Sequence, residues 1–334
     1  MNINMSLTKK KILICDRFAF EASIYLKKNS AFEVVMAQTQ ELQQTHITDA
    51  DGILIRSKLK IDSAFLNQAK KLKVIVTCTS GFDHIDLLET EKRNIQVMFT
   101  PEANQIAAAE LTWALLLASA RNVPQAYKDL KAKNWTRDPY SGFELHEKMI
   151  GIVGLGRIGM RVSKIANAFG MKVFAFDPYC DDSAFTDANA ERCSYDELLK
   201  QVDVISFHVP GTKETKHMLN RISFEIMNPN AVVINTSRGS VIHEDDLADA
   251  LLEGKIKAAA LDVFEKEPLD KNSKLFKCSN IILTPHLGAF TDEAFYKASM
   301  QGALQIENYF TTQKIENALP LVNSWGSLSF QEGI

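Results

Sequence analysis

Three side-chain types that do acid–base and anion chemistry each follow a short apolar run in this chain. Ala231 to Asn235 leads into Thr236-Ser237-Arg238-Gly239, Ala258 to Leu261 leads into Asp262 and Glu267, and Ile281 to Thr284 leads into Pro285-His286. In a parallel α/β sheet such positions fall at the carboxyl ends of strands, the edge where ligands bind. The arginine, the carboxylate and the histidine are therefore expected to converge on one cleft. The chemistry that uses such a trio is hydride transfer at the carbon beside a carboxylate. An arginine fork binds a carboxylate through two charged bonds and polarises the neighbouring carbonyl. A histidine, with an unperturbed pKa of ~6.5, can give that oxygen a proton near neutral pH. A glutamate beside it favours the imidazolium and orients the ring. Arg238 is thus read as the clamp, His286 as the acid/base and Glu267 as its partner.

A hydride carrier must also be held, and the elements for one lie upstream. Met149 to Val153 reads as a strand, Gly154-Leu155-Gly156-Arg157-Ile158-Gly159 follows at once, and helical spacing runs from Arg157 to Phe169. Gly170 ends that helix, and a second strand, Lys172 to Phe176, closes on Asp177. Glycines let backbone approach a pyrophosphate at the helix N-terminus, and the acid accepts from a ribose hydroxyl. Glycines at such a turn can serve the turn alone, but Asp177, eighteen residues past Gly159, favours the nucleotide. His286 alone reads as a polar residue satisfied at a strand end, and Arg238 alone as a surface charge. Their shared position after apolar runs reverses both readings. Because Pro178, Tyr179 and Cys180 follow Asp177, no arginine stands ready for a 2′-phosphate, and NAD is expected over NADP.

At these residues the chain resembles the D-isomer-specific 2-hydroxyacid dehydrogenases, most nearly their D-3-phosphoglycerate dehydrogenase branch. The matching stretches are Ser141 to Gly159, Phe169 to Pro178, Val232 to Gly239, Ala259 to Pro268 and Thr284 to Ala289, and similarity extends from about Ile12 to about Asn323. The resemblance places the catalytic arginine on Arg238, the glutamate on Glu267 rather than Glu265, and the histidine on His286. It implies that Asp262 meets the nicotinamide carboxamide and that Asp177 meets the adenosine ribose. Further cofactor contacts are implied for Gly154, Gly156, Arg157, Ile158, Gly159, His208, Val209, Pro210, Thr236, Ser237 and Gly288. On the substrate side, Thr79-Ser80-Gly81 looks like the loop whose amides hold the carboxylate, Asn104 matches a substrate-side asparagine, and Arg56 and Ser57 match a segment of the phosphoglycerate enzymes. Formate dehydrogenases of the superfamily carry glutamine at the position of Glu267, which disfavours that activity. Three residues depart from the pattern: Gly211 stands for a leucine, Phe290 for a small or hydroxyl residue, and Ala107 for a serine or threonine. A phenylalanine so near His286 in the chain is expected to narrow or dry the pocket.

Composition sets the frame. With 334 residues, 46% apolar and 24% charged, the chain suits a soluble two-domain protein, and a net charge of −3 leaves no basic footprint for nucleic acid. No apolar stretch approaches the ~18 to 20 residues of a membrane span, and Lys9-Lys10-Lys11 is followed by no secretory-signal core. The expected compartment is the cytoplasm. Cysteines at 15, 78, 180, 193 and 278 lack CxxC spacing, so neither a disulfide framework nor a metal site is expected.

Apolar runs at Ile12 to Cys15, Phe32 to Val35, Gly52 to Ile55, Val74 to Cys78 and Ile95 to Phe99 all precede the glycine fingerprint, so a separate α/β domain comes first. Glu102 to Ala120 reads as a long apolar helix, followed by a polar segment, Arg121 to Ser141, that carries Trp135 and Tyr140. The fold class is α/β, and the resemblance implies two doubly wound parallel-sheet domains. One is a Rossmann NAD-binding domain at 101–289. The other is a flavodoxin-like substrate domain at 1–100 plus 290–334. The resemblance further implies a homodimer through an arm at 121–150, and it leads us to expect no regulatory C-terminal domain of the kind longer relatives carry.

The expected function is an NAD-dependent oxidoreductase acting on a D-2-hydroxyacid or its 2-oxoacid, with D-3-phosphoglycerate, as in serine biosynthesis, the first choice. Arg56-Ser57-Lys58 after the run Gly52 to Ile55 supplies a basic pair suited to a distal phosphate, although Lys60 continues the run as a solvated face does. Glyoxylate or hydroxypyruvate reduction and D-lactate oxidation stay open, since each uses the same trio. A different class, an NAD-sensing corepressor-like binding protein, would keep the nucleotide fold without turnover.

Overall fold

The computed structural model describes residues 9–320. Two compact units divide them: residues 9–104 with 291–320, and Gln105–Phe290. The parts of the expected substrate domain at 1–8 and 321–334 lie outside the described residues.

The first unit is built on strands β1 (Lys10–Ile14), β2 (Phe32–Met36), β3 (Gly52–Ile55), β4 (Val74–Thr77) and β5 (Gln96–Phe99). They pair in parallel in the order β5-β4-β3-β1-β2, and a short antiparallel strand, Ala318–Leu319, adds to β5. All four residues of β3 (GILI) and of β4 (VIVT) are buried. Unbroken apolar strands of this kind arise where helices cover both faces of a parallel sheet. The order is that of the flavodoxin-like fold, whose chain reverses direction across the sheet between β1 and β3. Helix Asp292–Thr312 brings the chain back onto this sheet, and Gly302 lets it lie close, because a Cβ there would run into Cys78 Sγ. Burial pushes the Cys78 thiol up to about 12, as suits packing rather than nucleophilic chemistry.

The second unit holds β6 (Met149–Val153), β7 (Lys172–Phe176), β8 (Glu191–Arg192), β9 (Val204–Phe207), β10 (Val232–Asn235), β11 (Ala258–Leu261) and β12 (Ile281–Leu283). All seven are parallel, in the order β12-β11-β10-β9-β6-β7-β8. This is the doubly wound Rossmann order with one strand added, and its reversal falls between β6 and β9. Val153 pairs with Phe207, so the loops leaving β6 and β9 emerge side by side at the carboxyl edge.

Helix Gln105–Ala120 buries Trp113, Leu115 and Leu116 and packs on helix Arg157–Ala168, with Trp113 stacked on Phe169 at 4.8 Å. It begins three residues later than its apolar run suggests, because the chain turns through 101–104. The segment after it differs from its polar appearance. Pro124 in the first turn starts a helix, Val123–Lys131, none of whose residues is buried. Its apolar residues, Val123, Tyr127 and Leu130, recur at helical spacing and stay exposed. Among the described residues no helix is long and apolar enough to cross a membrane.

Candidate active site

The nucleotide side of the second unit is shaped by close backbone packing. Gly154 sits at φ +90°, and a Cβ there would come within 2.7 Å of the His208 carbonyl oxygen. Only glycine lets the β6 turn approach the β9 loop in this way. A Cβ on Gly159 would overlap the Gly154 carbonyl, whereas one on Gly156 would meet nothing within 4 Å. Gly156 is the N-cap of helix Arg157–Ala168 and supplies no side-chain cap, so the first-turn amides, with Arg157 and Ile158 in that turn, remain open to an anion. Asp177 is 6% exposed, and its carboxylate accepts from Leu155 N at 2.8 Å and from Tyr179 N at 3.0 Å. The acid therefore braces the glycine turn from the end of β7. His208, Val209 and Pro210 follow β9, and burial pushes the His208 imidazole down to about 3, leaving it neutral against Ser206 Oγ.

The trio is assembled at the ends of β10, β11 and β12. Asn235, the last residue of β10, is 1% exposed; it accepts from Ser237 N and Oγ and donates to the Arg238 carbonyl. Thr236 shares a 2.7 Å hydroxyl bond with Thr112. Gly239 packs directly on the Phe264–Glu265 backbone, where no Cβ fits, so the Arg238 loop is seated on the loop that bears Glu267. Glu267 uses one oxygen to accept from Phe264 N at 3.1 Å and the other for His286 Nδ1 at 2.7 Å.

Electrostatics follow that geometry. The hydrogen bond that Glu267 accepts from His286 raises the His286 pKa above its ordinary value; burial and the Arg238 charge oppose it, and the Glu267 charge adds to it. For Glu267, burial opposes ionisation, but the bond and charge of His286, the Phe264 amide and Arg238 outweigh it and hold the carboxyl below its usual range. Arg238 thus acts on both members of the pair. Its Nη1 donates to the Ser237 carbonyl at 2.7 Å. Glu265, two residues from Glu267, instead faces His217 at 3.2 Å, away from the pair.

Asp262 follows β11 and turns its carboxylate into the loop that carries His286. It has no exposed surface, and its carboxylate accepts from Thr284 Oγ1 at 2.6 Å, Leu287 N at 2.8 Å and Gly288 N at 2.8 Å. What it does here is hold the 284–288 loop. His286 in that loop has φ +55°, with its amide bonded to the Asp262 carbonyl at 2.9 Å. Phe290 ends the same turn and is 75% exposed.

Within the first unit the remaining site residues lie after β3 and β4. Thr79 Oγ1 donates to the Gly81 carbonyl at 2.7 Å, Ser80 Oγ donates to Asn104 Oδ1 and the Pro101 carbonyl, and the Ser80 and Gly81 amides have no partner among the described residues. Arg56 directly follows β3 and is half-buried, while Ser57 and Lys58 are exposed.

A dinucleotide-binding sheet that carries an arginine and a glutamate–histidine pair at one edge defines a nicotinamide-linked class of protein. Residues 113–288 match the D-isomer specific 2-hydroxyacid dehydrogenase, NAD binding domain family. The chain is 40% identical over 314 residues to a D-3-phosphoglycerate dehydrogenase of Methanocaldococcus jannaschii, covering 94% of this chain and 60% of that one. It is 41% identical over 255 residues to a glyoxylate reductase of Thermococcus litoralis, covering 74% and 77%. The solved D-lactate dehydrogenase of Aquifex aeolicus, complexed with NAD and lactic acid, superposes with a TM-score of 0.80 at 29% identity, covering 91% and 96%. The chain belongs to the D-isomer-specific 2-hydroxyacid dehydrogenase family and carries its NAD-binding domain. It spans about three fifths of the length of the Methanocaldococcus relative.

Two of the fingerprint glycines, Gly156 and Gly159, separate in a binding and unfolding experiment. Gly159→Ala should lower the unfolding midpoint, because its Cβ has no room. Gly156→Ala should leave the midpoint within about 1 °C and weaken NADH binding at least ~10-fold, read by fluorescence titration, because its Cβ occupies only the space a pyrophosphate approaches. Equal NADH affinity in Gly156→Ala and the wild type would contradict the placement.

Proposed function

We propose that this chain catalyses NAD-linked hydride transfer at the carbon beside the carboxylate of a D-2-hydroxyacid and its 2-oxoacid, with D-3-phosphoglycerate and 3-phosphohydroxypyruvate as the pair. The observation that carries the reading is the 2.7 Å bond between His286 Nδ1 and Glu267, within the field of Arg238, at the edge of a nucleotide-binding sheet. The open first-turn amides after Gly156 fit a pyrophosphate, and Asp177 at the end of β7 fits an adenosine ribose. NAD, when bound there, takes up or supplies the hydride.

The protein side of the step follows from the tautomer. With Nδ1–H donating to Glu267, Nε2 is the nitrogen that exchanges a proton with substrate. In oxidation, neutral Nε2 takes the hydroxyl proton as the C–H bond gives up its electron pair. In reduction, the imidazolium gives that proton back to the carbonyl oxygen. Arg238 forks onto the substrate carboxylate and polarises the oxygen beside it. In the first unit the amides of Ser80 and Gly81, without a partner among the described residues, suit a carboxylate.

Support for a phosphorylated substrate comes from Arg56 and from the phosphoglycerate dehydrogenase relatives. A small 2-oxoacid is the second reading, favoured by the glyoxylate reductase relative and by the exposed Phe290 ring beside the His286 turn. We further place a second copy of the chain on the 121–150 arm, supported by the exposed Val123, Tyr127, Leu130 and Trp135.

Two measurements test the reaction and the substrate. Because Glu267 raises the His286 pKa, reduction should persist to higher pH than a free imidazole allows and fall as pH rises through that pKa, while oxidation rises there. Glu267→Gln should shift both limbs to lower pH by about one unit or more; an unmoved profile would remove the pairing from the mechanism. Arg56→Ala should raise KM for 3-phosphoglycerate ~10- to 100-fold and much less for glyoxylate, which has no distal group. Equal effects on both would transfer the assignment to a glyoxylate or hydroxypyruvate reductase.

A further inference from the structure

The first unit carries a second guanidinium beside Arg56 that the reaction as derived does not use. The Arg56 guanidinium carbon lies 5.1 Å from the centroid of the Phe295 ring, and that of Arg17 lies 4.8 Å from the same centroid. Two cations that share one ring repel each other, and the ring's negative face only partly offsets this. Among the described residues neither guanidinium has a hydrogen bond or ion pair to a carboxylate, and Arg56 Nη1 is shielded from water without a hydrogen-bond partner. A buried donor without an acceptor is costly, and one such donor on Arg56, beside the like charge of an exposed Arg17, marks a place prepared for an anion.

The pair is held in place by neutral and charged bonds that leave the guanidiniums free. Asp16, 8% exposed, accepts from the Arg56 backbone amide at 2.8 Å, which fixes the loop after β1 to the end of β3. Gln38 donates to the Asp16 carbonyl at 3.1 Å. Ala19, the N-cap of helix Phe20–Lys28, donates to Ser299 Oγ at 3.1 Å, and Ser299 donates in turn to the Phe295 carbonyl at 2.9 Å. Arg17, Arg56 and Phe295 are therefore set by three separate elements tied to one another through buried backbone groups. Burial, with the charge of Arg17 adding to it, holds Arg56 below the usual guanidinium range, so an arriving negative charge relieves both.

Their position in the sheet matters as much. Arg17 follows β1 and Arg56 follows β3, the two neighbouring strands at which this sheet reverses direction. In open α/β sheets that reversal opens a crevice at the carboxyl edge. The strand order then runs β4, β3, β1, so Arg56 stands between the open amides of Ser80 and Gly81 and the Arg17 guanidinium. With neighbouring strands about 4.8 Å apart, a small acid whose carboxylate meets the β4 loop would extend its far end toward Arg56 and Arg17.

We propose that Arg17 and Arg56, seated on Phe295, form one two-arginine site for a phosphate monoester dianion, and that Arg17 together with Phe295 sets the preference for a phosphorylated acid over its unphosphorylated counterpart. A dianion with three terminal oxygens takes donors from two forks at once, which a second carboxylate or a hydroxyl does less well. The proposal rests on the phosphorylated-substrate reading above and adds Arg17 and Phe295 to it.

The test compares 3-phosphoglycerate with D-glycerate, the same acid without the phosphate, in the full chain. The wild type should favour the phosphorylated acid in kcat/KM. In Arg17→Gln that preference should fall ~10- to 100-fold, chiefly through KM, and Arg17→Lys should recover part of it. Arg17 is exposed, so its replacement leaves the fold intact; Phe295→Leu should lower the same preference from the platform side. If Arg17→Gln keeps the wild-type preference while Arg56→Ala loses it, the two-arginine site is wrong and the phosphorylated-substrate reading stands. If the wild type itself shows no preference for the phosphate, the substrate reading fails and the site with it.

Discussion

One buried carboxylate organises the catalytic edge of this protein. Asp262 directly follows β11 with no exposed surface, and its two oxygens take three donors from residues 284–288. A carboxylate can be buried only if such donors satisfy it, and once satisfied it fixes them firmly. The loop after β12 is thereby bent so that His286 adopts φ +55°, a region that costs a residue with a Cβ about 1 to 3 kcal/mol. Strain of that kind survives only where the surroundings over-determine it. Here the His286 amide is bonded to both the Asp262 and Thr284 carbonyls. The imidazole is then presented to Glu267, and the contact of Gly239 with the Phe264–Glu265 backbone seats Arg238 against the same loop.

The same economy of construction appears in both units. In each, the polar groups stand at the carboxyl edge where the strand order reverses: Gly154 to Gly159 and His208 flank the β6/β9 reversal, and Arg17 and Arg56 flank the β1/β3 reversal. Buried side chains at strand ends brace these loops from beneath. Asp177 supports the glycine turn, Asn235 the Arg238 turn and Asp16 the Arg56 turn. Strand-end Asp and Asn residues serve as loop supports here because two or more acceptors on a short side chain can capture the amides of a turn.

Much of this was legible in the residues. The strands at 149–153, 172–176 and 258–261 begin and end where the apolar runs do, because both faces of a parallel sheet are covered and no polar alternation blurs them. The convergence of Glu267 and His286 followed from their shared position after strands. Asp262 was legible as an important acid but not in its setting, since a sequence shows that a carboxylate follows a strand and not which amides turn back to it. Helix Val123–Lys131 was hidden for the opposite reason: it buries nothing, so its three-residue apolar stripe is lost among polar neighbours. Arg17 carried no signal of its own. Its partner ring, Phe295, is 278 residues away, and only the fold puts them together.

The claim that Asp262 holds His286 in its pose against Glu267 is tested most directly by NMR titration of the His286 imidazole in the wild type and in Asp262→Asn. The asparagine keeps the shape but turns a donor toward an amide of the 287–288 pair. The account requires a His286 pKa above the ordinary ~6.5 in the wild type and a clear fall toward it in the variant, as the loop releases the ring from Glu267. Superimposable titrations in the two proteins would contradict it.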